Sequence, residues 1–162
     1  MTETTSHRPQ DPGFAARIRE SFLRQGLMET LGATLARVEP GLVEIVVPFR
    51  PGLSQQHGFF HAGVTSAAAD SAGGYAGYTL FPADSSVLTV EFKINLVAPA
   101  RGDRLRAIGQ VIKSGRTLTV CELRAYALDG AEETLCAVGQ QTLICLHGTS
   151  DRPADPVRAP KR

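Results

Sequence analysis

The chain has 162 residues, enough for one domain with a sizeable core. Its 17 Lys and Arg nearly balance 16 Asp and Glu, leaving a formal charge of +1, and it contains no Trp. Neither a basic patch nor an aromatic stacking platform is in view, so a nucleic-acid partner is not expected.

Residues 1–12 are polar, carry Pro9 and Pro12, and lack the apolar stretch of a signal peptide; they read as a disordered tail. From Phe14, the apolar positions Phe14, Ile18, Phe22 and Leu23 fall on one helical face, and Gly26 is expected to end that helix. The stretches Gly32 to Glu39 and Leu42 to Arg50 read as a hairpin turning at Pro40-Gly41. A loop from Arg50 to Phe60 follows.

The segment from His61 to Leu80 is built of small apolar residues and contains a single carboxylate, Asp70. Its alanines favour helix, whereas Gly63, Gly73, Gly74 and Gly77 each cost about 1 kcal/mol relative to Ala. Such a helix forms only when buried, with its small side chains letting strands approach closely. Its length of about 20 residues reaches membrane-spanning range. Asp70, two serines and the Gly-rich middle point instead to a buried helix, with no membrane partner. A buried carboxylate needs a partner or a task, and Asp70 is the first candidate for a catalytic group.

Four strand-like runs complete the pattern. Val87 to Val97 alternates Leu88, Val90, Phe92, Ile94 and Leu96 against Thr89, Glu91, Lys93 and Asn95. Leu105 to Lys113, Thr117 to Leu128 and Thr134 to Leu146 follow, with Arg101-Gly102-Asp103, Ser114-Gly115-Arg116 and Asp129-Gly130 as turns. The four are expected to meander through these short turns. Residues 148–162 are Pro-rich and basic and read as a second disordered tail. Cys121, Cys136 and Cys145 show no CxxC spacing; they read as buried reduced thiols of a cytoplasmic protein without a metal site. The order of elements fits an α+β fold in which one antiparallel sheet wraps one long helix.

The spacing within the central segment carries a further expectation. His61 and Asp70 are nine positions apart, which is roughly 13 Å along a helix and about half a turn around it. A helix beginning near His61 offers free N–H groups there, a site for an oxyanion. Asp70 of the same chain cannot reach it. If both serve one reaction, the centre combines the helix start of one protomer with Asp70 of another.

The run Gln55-Gln56-His57-Gly58-Phe59-Phe60-His61-Ala62-Gly63, followed by Asp70 and Gly73-Gly74, resembles the signature of hotdog-fold acyl-CoA thioesterases of the PaaI-like group. The strand ending in Ala98-Pro99-Ala100 and the turn Lys113 to Thr117 match as well, so the resemblance covers about Leu27 to Leu146. It implies a single hotdog domain over residues 13–147, acting on acyl-CoA without a cofactor as a homodimer or homotetramer with shared sites. Within the group the chain looks closest to bacterial medium- or long-chain enzymes of fatty acid metabolism. Carried over, Asp70 is the general base or nucleophile, and backbone N–H groups near Ala62 and Gly63 polarise the thioester carbonyl. Gln55 holds water or carbonyl, His61 fixes the loop, and Thr89 sits near the attacking water. Gly58, Lys113, Gly115 and Arg116 are the expected substrate-binding positions, with Arg116 near the CoA phosphates. Ala62 stands where the family pattern has Gly, and Gln55 where Asn is common. The competing functions are a hotdog hydratase or dehydratase acting on acyl-CoA and a non-catalytic acyl-CoA-binding protein.

Overall fold

The structure, a computed structural model, describes residues 7–152. The tails expected to be disordered fall, over residues 1–6 and 153–162, outside the described residues. Of the remaining tail positions, His7 Nε2 lies 3.1 Å from the Val111 carbonyl, and Asp151 pairs with Arg24 at 2.6 Å.

The elements are α1 (Phe14–Leu23), α2 (Gly26–Leu31), β1 (Thr34–Glu39), β2 (Leu42–Pro48), a 3-10 turn at Pro51–Leu53, α3 (Ala62–Tyr78), β3 (Ser85–Leu96), β4 (Arg104–Ser114), β5 (Leu118–Asp129) and β6 (Glu132–His147). The six strands form one antiparallel sheet in the order β1-β2-β4-β5-β6-β3. Helix α3 lies along the face presented by Val43, Ile45, Leu105, Ala107, Cys121, Leu123, Ala125 and Leu143, all buried. The hotdog arrangement expected from the sequence is present.

Close approach explains the glycines of α3. A Cβ on Gly73 would lie 2.5 Å from Leu123 Cδ2, and one on Gly77 would lie 2.4 Å from Leu143 Cδ1. From the sheet side, a Cβ on Gly109 would meet the Gly73 nitrogen at 2.3 Å. The backbones of α3 and β4 therefore almost touch. The propensity penalty of these glycines is offset by packing that no larger residue permits.

Three sequence expectations change. The first helix ends at Leu23, and Gly26 opens α2 instead of closing α1. Gln25 breaks the chain direction with extended φ/ψ, and the helix-terminating glycine is Gly32 at φ 65°. Leu23, placed on the apolar face by its spacing, is 81% exposed, while Ser21 is buried in its stead. The meander holds only for β4-β5-β6; β3 crosses to the far edge of the sheet and pairs with β6 alone. Finally, β3 does not alternate uniformly. Thr89 pairs with Leu143, but Glu91 pairs with Thr142, so Val90 is an extra residue in a bulge. A one-residue slip reverses which face each side chain takes. Thr89 therefore faces α3, together with Phe92 and Ile94, while Glu91 and Lys93 face away.

The C-terminal end of α3 is closed from α1. The Arg17 guanidinium donates to the Tyr78 and Phe81 carbonyls at 3.1 and 2.9 Å and to Pro82, and lies over the Tyr78 ring. This satisfies acceptors left open at a helix end. With that end closed, the free N-terminal end and the middle of α3 remain for chemistry.

Candidate active site

Asp70 projects from the middle of α3 and is partly buried. Its Oδ1 accepts from Thr89 Oγ1 at 2.7 Å and from Gln141 Nε2 at 2.5 Å. The same Gln141 nitrogen lies 3.1 Å from the Asp70 carbonyl and 2.9 Å from Thr89 Oγ1. Two acceptors of Asp70 face the amide, which fixes its orientation: the NH2 group must point at them. Its Oε1 is then turned towards Gly73 and is buried, with no hydrogen-bond partner among the described residues. An orphan buried acceptor costs about 1–3 kcal/mol, and what it secures is a doubly held Oδ1. Among the described residues nothing bonds Oδ2. The carboxylate is thus anchored by one oxygen and free to accept a proton or attack with the other.

Gln141 was not among the expected site residues. The signal for it lay in the phase of β6. It stands in register with Ala137, Leu143 and Cys145 on the buried face, and it is only 1% exposed. A lone polar residue in the apolar phase of a strand needs a buried partner. Thr89 was expected near the site, although strict alternation put it with Glu91 and Lys93. The bulge at Val90 turns it towards Asp70.

The start of α3 is a separate construction. His61 is the N-cap residue, and its Nδ1 accepts from the Gly63 N–H at 2.8 Å, so the ring is the tautomer with hydrogen on Nε2. The Val64 and Thr65 N–H groups donate to the His61 carbonyl. This leaves the two expected donors unequal. The Gly63 N–H is engaged by the cap, while among the described residues nothing accepts from the Ala62 N–H. The preceding loop is tied to itself and to the core: Gln55 Oε1 accepts from the His57 N–H, the Gly58 N–H donates to the Gln55 carbonyl at 3.0 Å, and the Phe60 N–H donates to Ala100. Gly58 sits at φ 81°, the left-handed region that the turn requires.

The site residues fall into two groups. Gln55 and Ala62 share a groove with Phe59, Phe60, Leu96 and Val97 at the helix start. Asp70 and Thr89 line a cavity of about 530 Å³ between α3, the α1–α2 junction and β3. Eight positions separate Ala62 from Asp70, about 12 Å of helix axis. Lys113, Gly115 and Arg116 join neither group. They lie at the β4–β5 turn, which is held to β6 by His147 Nε2 against the Arg116 carbonyl at 2.9 Å and by the Cys145 N–H to Thr117. That is the end of the sheet where α3 terminates, since Tyr78 Oη bonds to Ser85 and Ser85 pairs with His147.

The Thioesterase superfamily profile matches residues 57–134, a span that holds the end of the loop, α3, β3, β4 and β5. A solved thioesterase family protein from Silicibacter pomeroyi is 47% identical; the match covers 84% of this chain and all of that one, with a TM-score of 0.82. This chain belongs to the thioesterase superfamily. The chain is also similar to the 1,4-dihydroxy-2-naphthoyl-CoA hydrolase of Listeria monocytogenes, 26% identical over 68% of this chain and 89% of that protein. The proofreading thioesterase EntH of Klebsiella pneumoniae is 26% identical over 70% and 82% respectively. The central helix and wrapped sheet are the hotdog fold of this superfamily, and no helix among the described residues is long and apolar enough to cross a membrane.

Proposed function

We propose that this superfamily member hydrolyses acyl-CoA thioesters at sites shared between two protomers. The observation that carries the reading is the Asp70 carboxylate, which lines a cavity, with Oδ1 held by Thr89 and Gln141 and Oδ2 bonded to nothing among the described residues. In the proposed reaction, water beside Thr89 gives a proton to Asp70 as its oxygen attacks the thioester carbon. The carbonyl oxygen, gaining charge, is met by the Ala62 N–H at the positive end of the α3 dipole. The C–S bond then breaks, and the thiolate takes up the proton, giving free acid and CoA. Direct attack by Asp70 through an anhydride gives the same products.

Asp70 and Ala62 act together only if a second copy supplies one of them. The free edge of β3 suits such a copy: Val90, Phe92, Leu96 and Val97 are 43–56% exposed there. A two-fold axis along that edge would bring each helix start to the other chain's Asp70 and create two equivalent sites. A tetramer of two such dimers rests on the resemblance alone. Arg116, with Lys113 and Gly115, would then contact CoA phosphates from outside both cavities, and Gly58 would shape the loop over the substrate. The three free cysteines fit a reducing cytoplasmic setting.

Release of free thiol from a panel of acyl-CoA thioesters tests the activity. Asp70→Asn, which keeps volume but accepts no proton near neutral pH, should lower kcat by ~100-fold or more with a native spectrum. A folded variant with near wild-type kcat would remove Asp70 from the chemistry. Hydroxyacyl-CoA as product would instead identify a hydratase, and tight binding without turnover a carrier.

A further inference from the structure

The cavity that holds Asp70 is followed along α3 by another. The first runs over Asp70, Ser71, Gly74 and Tyr75. The second, of about 330 Å³, takes up the same helix face at Tyr78. The helix raises no barrier between them, since a Cβ built on Gly74 would meet nothing within 4 Å. What divides them comes from outside α3: Arg24, Ser150, Asp151 and Arg152 line both cavities.

The dividing chain is the stretch that leaves β6. Gly148, at φ 65° and with its N–H on the Asp84 carbonyl at 2.7 Å, turns it out of the sheet. From Thr149 to Arg152 the hydrogen bonds are local, Thr149 Oγ1 to the His147 carbonyl and the Arg152 N–H to Ser150 Oγ, with one exception among the described residues. Arg24, at the end of α1, donates from Nη2 to Asp151 Oδ2 at 2.6 Å and lies 3.4 Å from the Asp151 carbonyl. Its Nη1 is aimed by the Glu20 carbonyl at 3.1 Å. The wall is thus hinged at Gly148 and latched at Asp151. The latch is felt in both cavities. Burial pushes the Tyr75 and Tyr78 hydroxyls up, Tyr78 to about 12, and beside that larger effect Asp151 raises and Arg24 lowers each of them.

We propose that the Arg24–Asp151 ion pair sets the length limit of the site: it holds the chain after β6 across the far end of the Asp70 cavity, and an acyl group that outgrows this cavity must part it. The proposal rests on the thioesterase reading of Asp70. Gly74 and Tyr78 lie four and eight residues beyond Asp70, roughly 6 and 12 Å along the axis. A short acyl group held at Asp70 ends before the pair, and a long one runs into it. Parting the pair joins the two cavities into one groove that reaches Tyr78. The side chains of Arg24 and Asp151 are 36% and 22% exposed, so the pair is a weak fastening. Such a pair shifts an equilibrium by at most about 5-fold, which makes it a graded selector and not a fixed stop.

The test measures kcat/KM for butanoyl-, octanoyl-, dodecanoyl- and hexadecanoyl-CoA. In the wild-type protein the value should fall as the chain lengthens. Asp151→Ala and Arg24→Ala should each raise the dodecanoyl-to-butanoyl ratio about 5-fold, with the gain in KM. Arg24→Glu combined with Asp151→Arg rebuilds the pair in reverse and should bring the ratio back to the wild-type value, which the loss of a merely structural contact would not predict. A flat wild-type profile, a ratio unmoved in both single variants, or a shift that the reversed pair leaves in place would each overturn the proposal. Thiol release from none of the thioesters would refute hydrolysis itself. Calorimetric binding of the same series to wild-type and Asp151→Ala protein then decides the length limit alone: a limit that moves with the variant upholds it, and an unmoved limit or no binding at all overturns it.

Discussion

The start and the middle of α3 present two different kinds of chemical group. At the start, the donor without an acceptor among the described residues is the Ala62 backbone N–H, and His61 serves the helix by capping Gly63. In the middle, the group is a carboxylate whose orientation depends on two strands, through Thr89 of β3 and Gln141 of β6. A backbone donor survives most side-chain changes, including Ala where the family pattern has Gly. A carboxylate held by a buried amide does not. The helix start should therefore tolerate substitution and the middle should not, unless the substitution removes the N–H itself.

Proline at Ala62 does remove it, and this gives the largest expected effect. Ala62 is the first helical residue, where proline is favoured, and His61 before it already has φ −63° and ψ 141°, the conformation a following proline demands. Ala62→Pro should fold and lose on the order of 10²–10³ in kcat, as for other deleted oxyanion donors. Mixing it with Asp70→Asn subunits under exchange then tests whether the two ends belong to one site. Random dimers would be half heterodimers with one intact site in two, recovering roughly a quarter of wild-type activity. Proven exchange with no recovery, or a fully active monomer by sedimentation, would separate the two ends into unrelated features.

Gln141→Leu probes the middle alone. Leucine removes the amide that holds Asp70 and also the orphan Oε1. Stability should hold or rise, since the buried unpaired acceptor is gone. The kcat should fall about 10-fold, because a loosely held carboxylate spends less time aligned. A variant that loses stability and keeps kcat would make Gln141 a packing residue.

The contrast also explains what was legible in the sequence. The α3 segment, its burial and the loop before it follow from composition and glycine content, which are local. The two-residue hairpins of the β4-β5-β6 meander follow from turn chemistry, also local. The edge position of β3 and the bulge at Val90 depend on pairing with a strand some fifty residues away, and no local pattern encodes that register. The bulge takes Thr89 out of the phase that strict alternation predicts, and the separation of Asp70 from Gln141 along the chain hides their contact from any local pattern. Gly26 misled for a local reason: two short helices meet there, and Gln25 leaves the helix to bond Tyr75.

A smaller effect is expected from His61→Ala. The loss of an N-cap costs ~1 kcal/mol of stability. Because the ring bonds Gly63 and not the Ala62 N–H, kcat should change only a few-fold. A loss as deep as that of Ala62→Pro would show that the Gly63 N–H or the imidazole acts directly, and the start of α3 would no longer be a site of backbone chemistry alone.

The mildest test addresses how tightly the middle of α3 is sealed. Cys121 Sγ lies 3.5 Å from the Gly73 carbonyl, and burial pushes its thiol up from 9.0 to about 12. Cys136 and Cys145 are raised by burial as well. Between pH 9 and 12 the folded chain keeps the Cys121 proton and the unfolded chain releases it, so the unfolded state binds fewer protons and stability falls as pH rises. The slope approaches about 1.4 kcal/mol per pH unit for each thiol fully in this condition, and below pH 9 the thiols contribute no loss. Chemical denaturation from pH 7 to 10.5 should show a flat region followed by decline, and a thiol reagent at pH 8 should label Cys121 at the rate of unfolding. Rapid labelling of Cys121 in the native protein would mean that β5 parts from α3 beneath Gly73. The amide of Gln141, lodged against that same glycine, would then hold Asp70 only intermittently, and the contrast between a permissive helix start and a rigid middle would fail at its rigid half.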